Sequence, residues 1–254
     1  MALILMNVSR HMKNTLSSVW VCIASVLYTI AILIKTLCLV HTKKMTRHKA
    51  DAVARYWSRY LLAAAQVHRQ VIYQTPFKFE PGRAYIIMSN HSSLYDIPLI
   101  FDTFHGSVRM LAKKELFQIP LFGSALKFNE FPSIDRHHRQ NALRDLELAR
   151  AKMQDGIILW VAPEGTRSRN GELLPFKKGV FHLAADTKAI IVPVGIRGIH
   201  KVLPAKSWRC QKDQSVSIHI GTPIDTMQYE HQHRDVLMQH TRDIIEQLLG
   251  NKHT

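Results

Sequence analysis

The reading of the fold turns on one stretch, Ala84-Tyr85-Ile86-Ile87-Met88-Ser89-Asn90-His91-Ser92-Ser93-Leu94-Tyr95-Asp96-Ile97-Pro98. Five residues from Ala84 to Met88 form a short apolar run bounded by polar turn formers, the pattern of a strand buried on both faces. Pro98 then suits the first turn of a helix over about 97–103, where its missing N–H costs nothing. Outward from this unit the pattern repeats. Further strands are expected at Val108–Ala112, Phe131–Ile134, Ile157–Val161, Ile190–Ile196 and Val216–Ile220. Further helices are expected at about 119–127, 138–154, 178–186 and 228–249, the last closing at Gly250. Strands alternating with helices predict an α/β fold, a mixed and largely parallel sheet covered by helices. Ligands of such sheets gather at the loops after strand ends.

The first third has a different character. Asn14 to Ile34 is 21 residues without a charge; at about 1.5 Å per residue that is roughly 30 Å, the thickness of a bilayer core. No A-x-A-like cleavage site follows it, and a soluble core helix rarely runs so long without charge. Val53, Tyr56, Trp57, Tyr60, Leu61, Ala64 and Val67 then recur at helical spacing, with Arg55, Arg59 and Arg69 off the stripe. Such a helix suits either a bilayer interface or a packed face of its own domain. Residues 1–70 are thus read as hydrophobic and amphipathic membrane-associating helices, and 71–254 as the α/β domain.

The chain of 254 residues has a formal charge of +15, 46% hydrophobic and 21% charged residues. That composition excludes a disordered chain, a collagen and a coiled coil. Three cysteines with no C-x-x-C pair make neither a disulfide framework nor a visible zinc site. Residues 1–80 carry eleven Lys and Arg against two acids, a net of +9. Basic charge flanking an apolar run points to a phospholipid membrane rather than to nucleic acid. Lys35, Lys43, Lys44, Arg47 and Lys49 outweigh Arg10 and Lys13, which places the rest of the chain on the cytoplasmic face, of a bacterial inner membrane or its equivalent. Among the 15 histidines, His137-His138 and His231-x-His233 match no H-E-x-x-H arrangement, so no metal site is expected.

Chemistry is expected at two strand-end loops. His91 and Asp96 are five residues apart, about 140° of rotation on a regular helix, so only a turn brings them together. If it does, Asp96 fixes one ring nitrogen of His91 and leaves the other as a general base. Neither Ser92 nor Ser93 sits in a G-x-S-x-G elbow, so the hydroxyl that reacts is expected on the substrate. After the strand at 157–161 comes Ala162-Pro163-Glu164-Gly165-Thr166-Arg167-Ser168, where Gly165 permits close backbone approach and Thr166, Arg167 and Ser168 offer donors suited to a phosphate.

Four segments occur in order: Asn90-His91 with Asp96, Ile134-Asp135-Arg136, Pro163-Glu164-Gly165-Thr166-Arg167-Ser168, and Ile191-Val192-Pro193-Val194. Together they resemble the four-motif signature of the glycerolipid acyltransferases, most closely the 1-acyl-glycerol-3-phosphate acyltransferases. Ala112-Lys113-Lys114-Glu115-Leu116 and the run from Gly171 to Ala184 are similar to the same family, and the likeness covers about residues 80 to 225. The resemblance implies transfer of a fatty acyl group from an acyl-CoA or acyl-carrier-protein thioester to the sn-2 hydroxyl of lysophosphatidic acid, without a metal or redox cofactor. It implies His91 and Asp96 as the catalytic pair. Arg136, Glu164, Gly165, Thr166, Arg167 and Lys113 are then expected to contact the acceptor phosphate, glycerol or oxyanion, and Pro193 to shape the acyl side. Glycerol 3-phosphate or another lysophospholipid is the alternative acceptor. Two positions depart from the family pattern: Ser133 stands at a usually apolar place and Ala162 where phenylalanine usually precedes the proline.

Overall fold

The strand at the centre of the molecule, β2 (Tyr85–Ser89), is buried at every position, which is why it reads as an unbroken apolar run rather than an alternating one. The computed structural model describes residues 2–135, 137–229 and 234–250, with the side chains of residues 2–17 and 139 left aside. Parallel to β2 run β6 (Ile158–Val161) on one side and β7 (Ile190–Arg197) on the other. β3 (Val108–Met110) extends the sheet beyond β6. β8 (Ser215–Ile220) joins β7 antiparallel, and β1 (His68–Tyr73) closes that edge parallel to β8. β9 (Ile224–Asp225) also pairs with β7, completing a mixed, mostly parallel sheet in the order β1-β8-β7-β2-β6-β3.

Alternation sorts the side chains to two faces. Tyr85, Ile87, Ile158, Trp160, Val192, Val194 and Ile218 point to one core. Here the sheet is covered by α2 (Arg47–Ala64) and α3 (Asp96–Thr103), with α1 (Ala2–His41) packed on α2. Ile86, Met88, Leu159, Val161 and Ile191 point to the other core. That face carries α5 (Arg139–Gln154), α6 (Gly179–Asp186) and α8 (Arg234–Leu249), all with residues in its core. β4 (Ala112–Lys113) and β5 (Ser133–Ile134) form a separate two-stranded sheet, with the short helix α4 (Phe122–Phe128) between them in sequence.

Three expectations from sequence are corrected. The helix expected through Val67 stops at Ala64, and β1 follows; its exposed, polar edge residues (His68, Arg69, Gln70) gave no strand periodicity. The division at residue 70 therefore falls inside β1. The strand expected at Phe131–Ile134 shortens to Ser133–Ile134 and leaves the main sheet. The helix expected from about 119 starts at Phe122, after a 3-10 turn over Lys114–Gln118. Gly123 lets that turn approach: a Cβ there would lie 2.1 Å from the Phe117 carbonyl oxygen.

α1 and α2 form a helical pair in which, among the described residues, only α2 is fastened to the α/β body by charge. Arg47 of α2 takes both oxygens of Glu130, at 2.6 and 2.7 Å. Asp51 meets the buried Arg109 at 2.7 Å. Arg59 meets the buried Asp102 of α3 at 2.8 Å, and Arg69 of β1 pairs with the same carboxylate. Of the two roles open to this helix, the packed one is thus realised on one face, while Tyr56 and Tyr60 stay exposed on another. In α1, by contrast, Ser18–His41 is long and apolar enough to cross a membrane. Val19, Trp20, Ile23, Val26, Leu27, Ile30 and Ile34 on it are exposed.

Candidate active site

The site assembles at the carboxyl ends of three neighbouring parallel strands. Met88 of β2 pairs with Val161 of β6 and with Pro193 of β7. Three residues beyond each lie His91, Glu164 and, still within β7, Ile196, so the sheet register sets the first two loops side by side against β7.

Asn90 fastens the first loop to β7. Its amide donates to the Ile196 carbonyl at 2.9 Å and accepts from the Ile196 N–H at 2.8 Å. Beyond it the chain turns sharply, and Asp96 at the start of α3 points back. Asp96 Oδ2 lies 2.7 Å from His91 Nδ1 and accepts from the N–H groups of Ser92 at 2.9 Å and Ser93 at 3.0 Å. Asp96 is fully buried, while the His91 side chain is about one fifth exposed. The carboxylate assigns the proton to Nδ1, so Nε2 carries the lone pair. Trp160 stands edge-on to the His91 ring at 6.1 Å and limits its swing.

The second loop is tied to the first through Glu164, which is 2% exposed. One carboxylate oxygen accepts from the His91 N–H at 2.7 Å and the other from the Leu174 N–H at 2.9 Å. The Ser168 N–H returns a bond to the His91 carbonyl at 2.7 Å. Burial pushes the Glu164 carboxyl up to about 7, against the opposing pull of these two amides. Glu164, expected to contact the acceptor, has both oxygens engaged inside the protein and acts as a strut between loops. Gly165 turns this loop at φ +71°, a conformation that a side chain disfavours. Thr166 is exposed and Arg167 half-buried. Among the described residues no carboxylate pairs with Arg167, which leaves its fork open to an anion.

Arg167 also borders an apolar cavity of about 490 Å³ between the α1–α2 pair and the sheet. Leu94, Tyr95 and Pro98, next to the His91–Asp96 turn, line it at one place, and Leu33, Val53 and Leu126 at another. The other sequence candidates lie elsewhere. β4–β5 pairing sets exposed Lys113 opposite Ile134, where its Nζ faces Glu115 at 3.8 Å. Asp135 organises that corner by accepting from the N–H groups of His137 and His138 and from the Asn141 amide, which hold its carboxyl far below the usual range. Arg136 lies outside the described residues. Pro193, expected on the acyl side, is buried in β7 and is not among the residues that line this cavity. A Cβ at Gly221 would meet Pro193 Cγ at 3.1 Å beside Leu248 and Ile244 of α8, on the opposite face of the sheet. Asn90, quoted for its motif, has a role that sequence reading missed; a buried amide after an apolar strand was the available signal.

The site thus sets a carboxylate–imidazole pair and Arg167 beside an apolar cavity. The sequence model of the Acyltransferase family matches residues 66–197, and the chain belongs to that family. It is 37% identical over 154 residues to the 1-acyl-sn-glycerol-3-phosphate acyltransferase of Cocos nucifera, covering 60% of this chain and 49% of that one. It is 32% identical over 166 residues to the enzyme so named from Haemophilus influenzae, covering 65% and 68%. The human alpha form is 32% identical over 149 residues, covering 58% and 52%. The chain thus spans about half the length of the coconut and human relatives. In fold it is similar to the crystal structure of the 1-acyl-sn-glycerophosphate acyltransferase of Thermotoga maritima, with TM-score 0.72 and 24% identity over 96% of this chain and 98% of that one.

Proposed function

We propose that this protein transfers a fatty acyl group from an acyl-CoA or acyl-carrier-protein thioester to the sn-2 hydroxyl of 1-acylglycerol 3-phosphate, forming phosphatidic acid. The observation that carries this is the Asp96-held imidazole of His91, set beside an apolar cavity and Arg167, which pairs with no carboxylate among the described residues. The names of the relatives support the same acceptor.

In the proposed reaction the acceptor hydroxyl gives its proton to His91 Nε2 while its oxygen attacks the thioester carbonyl. Asp96 keeps Nδ1 protonated and balances the imidazolium that forms. The oxyanion of the tetrahedral intermediate takes a hydrogen bond from a backbone N–H of the Gly165 turn. The C–S bond then breaks, the thiolate leaves, and the imidazolium returns the proton to it. No acyl-enzyme forms, because neither Ser92 nor Ser93 acts as a nucleophile: Ser93 Oγ donates to the Leu203 carbonyl, and the Ser92 side chain is buried. Arg167, with Thr166 and Arg136, binds the acceptor phosphate by its planar fork. The apolar cavity takes an acyl chain. The thioester is a co-substrate, and the reaction needs no further cofactor. The exposed apolar face of α1 lies against a phospholipid membrane, with the α/β domain on the cytoplasmic side.

The test is purified protein in detergent, offered lysophosphatidic acid, glycerol 3-phosphate or a neutral-head lysolipid against acyl-CoA and acyl-carrier-protein thioesters. Phosphatidic acid formed from lysophosphatidic acid, and lost with His91→Ala, is the expected result. Faster turnover of glycerol 3-phosphate or of the neutral lysolipid would reassign the acceptor.

A further inference from the structure

Trp208 is 89% exposed, the highest value among the exposed large hydrophobic residues, yet the loop that carries it is tied down on every side. The Leu203 carbonyl accepts from Ser93 Oγ at 2.9 Å, and Pro204 forms a β-bridge with Ser93, so the loop is fixed to the turn that holds His91 and Asp96. On the other flank Ser18 Oγ of α1 donates to the Cys210 carbonyl at 2.5 Å, and Cys22 Sγ to the Trp208 carbonyl at 3.4 Å. Within the loop the Gln211 N–H donates to the Val202 carbonyl at 2.7 Å, and the Cys210 side chain is buried. The indole is therefore held out by an ordered backbone rather than left on a loose one.

Its neighbours select a partner. Lys206 and Arg209, two residues before and one after, are exposed, and Lys212 is half-exposed. The acid of the segment, Asp213, faces His68 at 2.7 Å. An indole with basic flanks suits the headgroup boundary of an anionic bilayer, where the ring sits half in lipid and the charges meet phosphate. The position agrees: Trp208 and Val26 of the exposed α1 face line the same cavity. We propose that Trp208, with Lys206 and Arg209, is a second contact with an anionic phospholipid bilayer, so that the cavity rim between this loop and α1 faces lipid rather than water. The inference rests on the reading of α1 as lipid-facing.

The two can be separated by their own tryptophans. The full chain is reconstituted in vesicles of equal parts phosphatidylcholine and phosphatidylglycerol, with or without bromine on mid-chain carbons, which quenches an indole it touches. Subtracting the emission of Trp208→Phe or Trp20→Phe from that of the parent chain isolates each indole. The Trp208 signal is expected to shift to the blue and to lose most of its intensity to bromine, as is the Trp20 signal. Lys206→Glu with Arg209→Glu should weaken the Trp208 quenching in these vesicles and leave it unchanged in phosphatidylcholine alone. An unquenched Trp208 beside a quenched Trp20 overturns the second contact and leaves α1 in the membrane. If neither is quenched, both readings fall. A Trp208 signal that answers to acyl-carrier protein and not to vesicles overturns the bilayer as partner. Trp208→Phe changes an exposed side chain, so folding does not confound the comparison.

Discussion

The loops around His91 and the outer face of α1 break the same rule in opposite directions. At the loops polar groups are buried: Asn90, Ser92, Ser93, Asp96, Glu164 and Ser168 are all nearly inaccessible. On α1 apolar groups are exposed, from Val19 to Ile34. Soluble folds do neither without cause. The buried polar set is supported from within: Asp96 holds backbone groups of its own turn, while Glu164 and Asn90 hold backbone groups of another loop or strand. The exposed apolar set has no such support inside the protein and calls for a partner outside it. Burial of polarity marks where chemistry is arranged, and exposure of apolarity marks where the protein meets another phase.

The largest effect is expected at the buried polar end. His91→Ala should lower the acyl-transfer rate by on the order of 10²–10⁴-fold or more while the thioester still binds, read from steady-state kcat and a binding titration. Asp96→Asn should cost less, because the imidazole stays in place with its tautomer no longer enforced. Unchanged turnover in the His91 variant would end the assignment. Next comes the anchor between the two regions. Asp102 is buried and pairs with Arg59 and Arg69. Asp102→Ala leaves two partly exposed guanidinium groups without this partner, and about 2 kcal/mol of stability should go, seen as a lower midpoint in denaturant. A midpoint equal to that of the parent chain would mean that α2 and β1 do not depend on this carboxylate.

Arg167→Ala should raise the KM for lysophosphatidic acid about tenfold, the equivalent of about 1.4 kcal/mol, and move the thioester KM little. The reverse pattern would place the phosphate elsewhere. An effect of the same size per pH unit is expected at Glu164. Its folded pKa is raised to about 7 from 4.5, so between these values the native state holds a proton that the unfolded chain has lost. Stability should therefore fall as pH rises through this window, by at most about 1.4 kcal/mol per pH unit. Glu164→Gln removes the titration, and its melting temperature should show a flatter slope from mildly acidic to neutral pH; an identical slope would exclude Glu164 as the group responsible. The least effect on folding is expected on α1. Leu27→Asp should leave the denaturant midpoint in detergent unchanged, since Leu27 is 60% exposed, while weakening retention in vesicles. A large loss of stability instead would show that this face is buried against protein.

The central strands and the helices α3, α5, α6 and α8 were legible because periodicity encodes them locally, whereas the pairing of His91 with Asp96 was an expectation of the motif, since a spacing of five does not by itself bring them together. β1 was not, since an edge strand with exposed His68, Arg69 and Gln70 has no buried face to impress a pattern. The face that Pro193 takes was hidden for a related reason. In a strand buried on both faces, a run such as Ile191-Val192-Pro193-Val194 does not tell which residues face which core, and the pleat sends Pro193 toward α8. Glu164 reads in sequence as one more polar residue of a phosphate loop; only its depth and its two amide partners reveal a strut.

By itself, the sequence determined what depends on neighbours along the chain. These are the alternation of strand and helix, the apolar span of α1, the residue types at the two strand-end loops, and a basic charge gathered beside the apolar run. Tertiary structure decided what depends on contacts distant in the chain. The sheet register sets His91 beside Glu164, 73 residues on. The charges of α2 turn out to hold the α/β body rather than to face solvent freely. Trp208, unremarked in the sequence, stands out beside the cavity because α1 and the Ser93 turn clamp its loop from both sides.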